Sequence, residues 1–128
     1  MAVFAFLTGC RITHQLDLPK PDDRAITGNG FYKLTGAMKW NEREPLMMKE
    51  ILAGNIPAFL KKLVPVHVVI LDSLSGKMIR ATYFVTPDYL SIGNDKDFAR
   101  VPMTPMTAQA IAEAVVASGA DAAFLVPV

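Results

Sequence analysis

The sequence predicts an α+β fold: a four-stranded antiparallel meander, Val64–Met103, with helices packed on one of its faces. Two observations indicate this class. Segments rich in β-branched and aromatic residues follow one another between short turns, which is typical of strands that pair with their sequence neighbours. Helical patterns with capping residues lie before and after this block, and helices on one face of an antiparallel sheet define an α+β fold.

The helices before the sheet are predicted over Asn41–Leu63. Asn41 can accept a hydrogen bond as an N-cap, and Glu44, three residues later, can accept one from the cap amide. Gly54 supplies the left-handed conformation that often ends a helix. A second short helix, Ile56–Leu63, is predicted to follow it.

The meander is predicted from four segments. Val64–Leu71 is the strongest of them because valine and isoleucine favour extended backbone. Met78–Thr86 forms a hairpin with it through the turn residues Asp72–Lys77. Tyr89–Ile92 and Asp97–Met103 are the predicted third and fourth strands, each reached through a short turn.

Two segments complete the predicted body. Phe31–Thr35 is predicted as a short strand that Gly36 closes. Thr104–Ser118 is predicted as the last helix, because Thr104 can cap it and its apolar residues recur with helical spacing. The tail Ala120–Val128 carries a single charge and is a last core strand, the cut edge of a longer chain or the product of a shifted reading frame.

The composition limits the kinds of protein this chain represents. With 128 residues, 52% hydrophobic and 20% charged, it is long and apolar enough for one folded domain. A net charge of +1 gives no basic surface for nucleic acid. One cysteine forms neither an internal disulfide nor a cysteine-based zinc site. No cofactor is expected.

The N-terminus carries a four-residue motif that is similar to a signal for lipoprotein processing. Leu7–Cys10, Leu-Thr-Gly-Cys, resembles the lipobox of bacterial lipoproteins, in which the cysteine thiol takes a diacylglyceryl group. The resemblance implies that residues 1–10 are the remnant of a signal peptide and that Cys10 is lipidated. The polar, proline-interrupted segment 11–25 is then a flexible tether, and 26–128 is a single domain. One lipidated cysteine holds a protein at a membrane surface without spanning the membrane.

The same residues allow a different interpretation. A signal peptide needs a positively charged start and about 7–15 apolar residues, whereas no Lys or Arg precedes Cys10 and the apolar stretch runs only from Ala2 to Leu7. In the alternative, Ala2–Leu7 is a buried strand and Cys10 an ordinary apolar residue. The protein would then be a small cytoplasmic binding domain.

Catalytic chemistry has one weak candidate, His67. It lies inside the valine-rich strand, and a histidine base needs a carboxylate or nucleophile within hydrogen-bond reach. A hydrolase-like enzyme would require His67 to share a cleft with a carboxylate. Because no partner motif accompanies it, a structural histidine is the favoured interpretation.

Metal binding has one weak candidate cluster, formed by Asp88, Asp95 and Asp97 around the turns of the meander. Alternating carboxylates can bind calcium, but the glycine and glutamate positions of an EF-hand loop are missing. A solvated turn is therefore the favoured interpretation.

Three stretches carry a wider resemblance: Gly54–Val66, Val85–Phe98 and Val101–Gln109. Together they resemble the N-terminal part of an uncharacterised family of exported bacterial proteins, over about Glu42 to Ala114. The resemblance implies a secreted or lipid-anchored protein and assigns no catalytic residue; a polar site of that family would lie downstream. After Ala114 the chain departs from the pattern, which indicates truncation.

These observations converge on one expectation. The chain is predicted to be a lipid-anchored, exported module of the bacterial cell envelope that is not catalytic by itself. Its expected partner is the membrane surface, reached through Cys10.

Overall fold

The computed structural model describes residues 14–117 and the short strand at 123–124. The helices are α1 (Gly28–Thr35), α2 (Trp40–Leu52), a 3₁₀ helix (Ala58–Lys61) and α3 (Pro105–Ala117). The strands are β1 (Val64–Leu71), β2 (Met78–Val85), β3 (Ser91–Gly93), β4 (Phe98–Arg100) and β5 (Ala123–Phe124). None of the helices in this part of the chain has the length and apolar character to cross a bilayer.

The hydrophobic core lies where the three α-helices meet the β3–β4 hairpin. Phe31 of α1, Ile51 of α2 and Ile111 of α3 are each at most 1% exposed. Ile92 of β3 joins them with no exposed surface. Burial of apolar surface contributes about 25 cal/mol per Å², so this cluster is the main source of stability.

The α+β class is confirmed, but the four-stranded meander is wrong. The strands form two sheets, one in the order β1-β2-β5 and the other pairing β3 with β4. The chain leaves the first sheet after Val85, and the β3–β4 hairpin packs beneath α1. A Cβ added to Gly28 would lie 2.3 Å from the carbonyl carbon of Phe98, so α1 rests directly on β4. α1 and α2 therefore pack on the β3–β4 hairpin and α3 packs on α2, instead of all three lying on one face of a continuous sheet.

The predicted strand Phe31–Thr35 is helical instead. The Thr27 hydroxyl accepts a 3.2 Å hydrogen bond from the Gly30 amide and caps α1. The Asn29 amide at the same end donates to Asp97 at 2.9 Å. Long-range capping of this kind outweighs the local β preference of aromatic and β-branched residues.

The start of α2 also differs from the prediction. Lys39 is the N-cap residue, and its amide donates a 3.0 Å hydrogen bond to Glu42. Asn41 therefore lies within the helix. Glu44, expected to complete the cap, is instead buried and binds the residues that begin α3.

The described part of the predicted tether packs on the domain. Leu16 is 4% exposed and belongs to the core cluster. Its amide donates a 2.9 Å hydrogen bond to the Lys61 carbonyl, and Gln15 forms an antiparallel bridge with Lys62. Pro19 continues the contact, since its carbonyl accepts a hydrogen bond from Lys61. This segment thus contributes to the core, in contrast to the expectation of a free tether.

Candidate functional site

The β1–β2 hairpin exposes a group of large apolar side chains that adjoin one another. The two strands pair over their full length, from Val64 opposite Val85 to Leu71 opposite Met78. We use "distal hairpin" for Val69–Arg80, the half that contains the turn. Leu74 at its tip is 97% exposed. Five more apolar side chains are between 50% and 63% exposed: Val69, Ile70, Leu71, Met78 and Ile79.

Both faces of the distal hairpin are apolar. Cross-strand partners lie on the same face, so Ile70 and Ile79 share one face while Leu71 and Met78 share the other. Isolated exposed apolar residues are ordinary, whereas a contiguous group marks an interaction site. We therefore identify the distal hairpin as the candidate functional site.

The edges of the hairpin are covered only near its base in the described structure. On the β1 side, Gln15 bridges Lys62, just before the strand begins. On the β2 side, β5 runs parallel and pairs with Phe84 and Val85, the last residues of β2. The His14 ring stacks on Phe84 with 3.5 Å between ring centroids. The distal hairpin has no such neighbouring strand among the described residues.

The tip is held by Asp72. Its carboxylate accepts hydrogen bonds from the Ser75 hydroxyl and, at 3.1 Å, from the Leu74 amide. The Asp72 carbonyl accepts a 2.8 Å bond from Gly76, whose φ of +67° suits glycine. The Ser75 hydroxyl, followed by the Leu74 amide, lowers the pKa of Asp72. The turn is thus a well-formed hairpin turn that presents Leu74 to solvent.

The charge of the distal hairpin is basic. Asp72 is the single acidic residue between Val64 and Val85, and its carboxylate is engaged within the turn. Lys77 and Arg80 are exposed, and neither forms an ion pair with another residue of the described structure. The apolar side chains are therefore flanked by two cations free to meet an anionic surface.

His67, the catalytic candidate, lies exposed in the middle of β1. Its Nδ1 atom is 2.9 Å from the hydroxyl oxygen of Thr82, the residue directly opposite it in β2. The hydrogen bond is a cross-strand pair on the sheet surface. The structure thus places His67 next to a hydroxyl, while Asp88 is engaged elsewhere.

Asp88 pairs with Arg100 across the β3–β4 hairpin. The Arg100 Nη2 atom donates to Asp88 Oδ2 at 2.6 Å, and the Tyr89 amide donates to Oδ1 at 2.7 Å. The Arg100 hydrogen bond, followed by that of Tyr89, lowers the pKa of Asp88, while the same ion pair raises the pKa of Arg100.

Asp95 and Asp97 cap two different helices. Asp95 Oδ1 accepts a 2.6 Å hydrogen bond from the Ala58 amide at the start of the 3₁₀ helix. Asp97 accepts from Asn29 with its carboxylate and, at 3.1 Å, from Gly28 with its carbonyl. Among the described residues, no group of three or more His, Cys, Asp or Glu side chains is placed to hold a metal ion.

Cys10, the predicted lipidation site, lies outside the described residues. The described chain starts at His14, whose carbonyl accepts a 3.0 Å hydrogen bond from the Leu63 amide. Leu63 immediately precedes β1. The predicted anchor thus lies four residues before a point at the base of the hairpin.

The sequence predicts the hairpin but not its exposure. Val68–Leu71 is a continuous apolar run within a strand that is predicted to have one face covered by helices. An exposed hairpin that is apolar on both faces has the same sequence pattern. Only the packing around the strand distinguishes this hairpin from a strand covered by helices. Comparisons with protein-family models, with curated proteins and with solved structures gave no match.

Proposed function

We propose that this chain is a lipid-anchored, exported module of the bacterial cell envelope, not catalytic by itself, whose working surface is the distal hairpin. The observation that carries the proposal is the exposed apolar surface around Leu74, since an interaction module must present such a surface. The lipobox-like Leu7–Cys10 supports attachment to a membrane.

The position of the chain entry supports the same proposal. His14 is half-buried at the base of the hairpin, and Cys10 is four residues earlier in the sequence. An extended chain spans about 3.3–3.6 Å per residue, so the four steps from His14 place Cys10 within about 14 Å of this point. Lipid on Cys10 would therefore hold the hairpin close to the membrane.

Metabolic labelling tests the lipid anchor. Bacteria expressing the chain from its genomic context are grown with labelled palmitate, together with cells expressing Cys10→Ser. We expect label on the first protein and none on the second. Ser75→Ala, which leaves Cys10 in place, is the matched control and should label normally. Label that persists in Cys10→Ser, or no label on the unmodified chain, contradicts the proposal.

A second candidate, the small cytoplasmic binding domain, is favoured by one observation. Gln15 pairs with Lys62 in an antiparallel bridge, and the next residue, Leu16, belongs to the hydrophobic core. The chain eight residues after Leu7 is thus part of the folded domain. A fold that includes residues this close to Ala2–Leu7 favours the alternative in which that segment is a buried strand.

Deleting residues 1–9 distinguishes the two candidates. A leader contributes nothing to the fold, so the urea-unfolding midpoint of the shortened chain should equal that of the full chain. A strand would bury Phe6 and Leu7, and its removal would lower the free energy of unfolding by several kcal/mol, at about 1.5–3 kcal/mol for each large side chain. A large loss favours the cytoplasmic domain.

A further inference from the structure

We infer that the distal hairpin docks onto an anionic lipid bilayer, with Leu74 and its apolar neighbours at the boundary between headgroups and acyl chains. The inference rests on the proposed function and specifies how the anchored domain is oriented. The membrane is then a binding partner of the folded domain as well as the site of its anchor.

The position of the predicted anchor carries the first step. The His14 carbonyl accepts a hydrogen bond from the Leu63 amide just before β1 begins, and Cys10 is four residues earlier in the sequence. Four residues span at most about 14 Å. The seven steps from Val64 to Leu71 span about 23 Å at 3.3 Å per residue. Lipid on Cys10 would thus keep the distal hairpin within reach of the bilayer.

The two apolar faces carry the second step. A partner with a single flat surface covers one face of a two-stranded hairpin and leaves the other face in water. Here Ile70 with Ile79 and Leu71 with Met78 are exposed on opposite faces, and Leu74 extends beyond both pairs. A bilayer surrounds an inserted tip from all sides, so it can bury all of these residues together.

The charges carry the third step. Lys77 and Arg80 are exposed and have no ion-pair partner in the described structure, while the carboxylate of Asp72 is engaged by Ser75 and Leu74. Basic residues beside an anionic membrane surface contribute about 1 kcal/mol each, or about fivefold in affinity. Anionic headgroups therefore suit this tip better than neutral ones.

The open edges limit the depth of docking. Unpaired backbone N–H and C=O groups are not tolerated inside the hydrocarbon region, where no water can bind them. The described distal hairpin has no strand on either edge. Docking should therefore stop at the headgroup boundary, with the tip side chains buried and the edges hydrated.

Fluorescence quenching tests the docking. Cys10 is the sole cysteine, so the full chain can be coupled through it to a maleimide lipid in vesicles of phosphatidylcholine and phosphatidylglycerol. Leu74→Trp in a Trp40→Phe background places one indole at the tip. We expect quenching by lipids brominated near the headgroup end of the acyl chain, and less by lipids brominated near the methyl end. The coupled unmodified chain, whose indole is on α2, should show little quenching.

Charge variants give a second measurement. Lys77→Gln and Arg80→Gln should each lower the ratio of docked to undocked protein, read from the quenched fraction, by about fivefold. Lys33→Gln and Lys49→Gln, on exposed positions of α1 and α2, are the matched controls and should leave it unchanged. On vesicles of phosphatidylcholine without phosphatidylglycerol, the unmodified chain should also show a lower ratio of docked to undocked protein.

Three outcomes would overturn the inference. One is a tip indole that stays unquenched although the protein is coupled to the vesicle. Another is equal loss of quenching in the control variants. The last is sedimentation of the uncoupled chain as a dimer in which the tip indole is buried, which would make a second copy the partner. Chemical coupling bypasses cellular processing, so failed palmitate labelling alone would contradict the proposed function and not this inference.

Discussion

The backbone amide of Thr104 donates a 2.6 Å hydrogen bond to Oε1 of Glu44, a residue 60 positions earlier in the chain. The Thr104 hydroxyl donates to the other carboxylate oxygen at 2.8 Å, and the Thr107 hydroxyl donates to the same oxygen. Glu44 is 6% exposed. A carboxylate from α2 therefore caps α3, which locks the two helices together.

Replacing Glu44 should destabilise the domain. Glu44→Ala leaves the Thr104 amide and both hydroxyls without their acceptor, and an unsatisfied buried group costs about 1–3 kcal/mol. We expect a loss of about 2–3 kcal/mol in the free energy of unfolding, measured with urea. Glu113→Ala, on the exposed side of α3, should change it by no more than about 0.5 kcal/mol. Equal effects would show that Glu44 does not join the helices.

The contribution of Glu44 should depend on pH. Burial raises its pKa, but the hydrogen bonds from Thr107 and Thr104 together outweigh burial and lower the pKa below the ordinary value of 4.5. The folded state thus favours the carboxylate, so its stabilisation is complete above the unfolded pKa and is lost as pH falls through the folded one.

Paired unfolding curves measure this dependence. The stability difference between the unmodified chain and Glu44→Gln should be constant near neutral pH and shrink as the pH falls below about 4.5. Asp72 and Asp88, whose pKa values are also lowered, remain in both proteins, so their titration cancels in the difference. If the stability difference between the two proteins grew as the pH fell, the prediction would be wrong.

Two glycines with positive φ should respond differently to alanine. Gly54 has φ +79°, and an added Cβ would lie 1.8 Å from the Pro19 carbonyl oxygen. Gly76 has φ +67° but no atom within 4 Å of that position. We expect Gly76→Ala to cost about 1–2 kcal/mol from backbone strain alone, and Gly54→Ala about 3–5 kcal/mol because Pro19 must also move. Thermal unfolding of the two variants would check this; similar costs would place residue 19 away from Gly54.

The packing of residues 14–25 predicts how two leucine-to-alanine substitutions differ in their effect on stability. Leu16→Ala removes a core side chain and should lower stability by about 2–5 kcal/mol. The same substitution at Leu74, which is 97% exposed, should have almost no effect. Urea unfolding measures both. An unchanged midpoint in Leu16→Ala would restore the expectation of a free tether.

The sequence predicted the elements whose signals are local. The Thr104–Ser118 helix is observed as Pro105–Ala117, and the first hairpin is observed with the predicted turn. In both, capping or turn residues lie next to the segment that they define. The length of the strands after Val85 was overestimated, since β3 and β4 are each three residues long.

The errors arise where distant residues decide the structure. Phe31–Thr35 belongs to a helix whose start is capped by the neighbouring Thr27 and also bound by the distant Asp97. No pattern within residues 31–35 records the bonds to Asp97. The division into two sheets depends likewise on the close approach of Gly28 to β4. For the candidate site, the apolar run Val68–Leu71 can be recognised in the sequence. A buried strand and an exposed apolar strand have the same composition, so the sequence does not distinguish between them.

The Gly93–Asp97 turn has a consequence for cooperativity. Asp95 holds the Ala58 amide and Asp97 holds those of Gly28 and Asn29, so one turn fastens two helical segments that are far apart in the chain. None of these bonds survives if the turn opens. In native-state hydrogen exchange, the three amides should therefore share a single opening free energy and behave as one foldon.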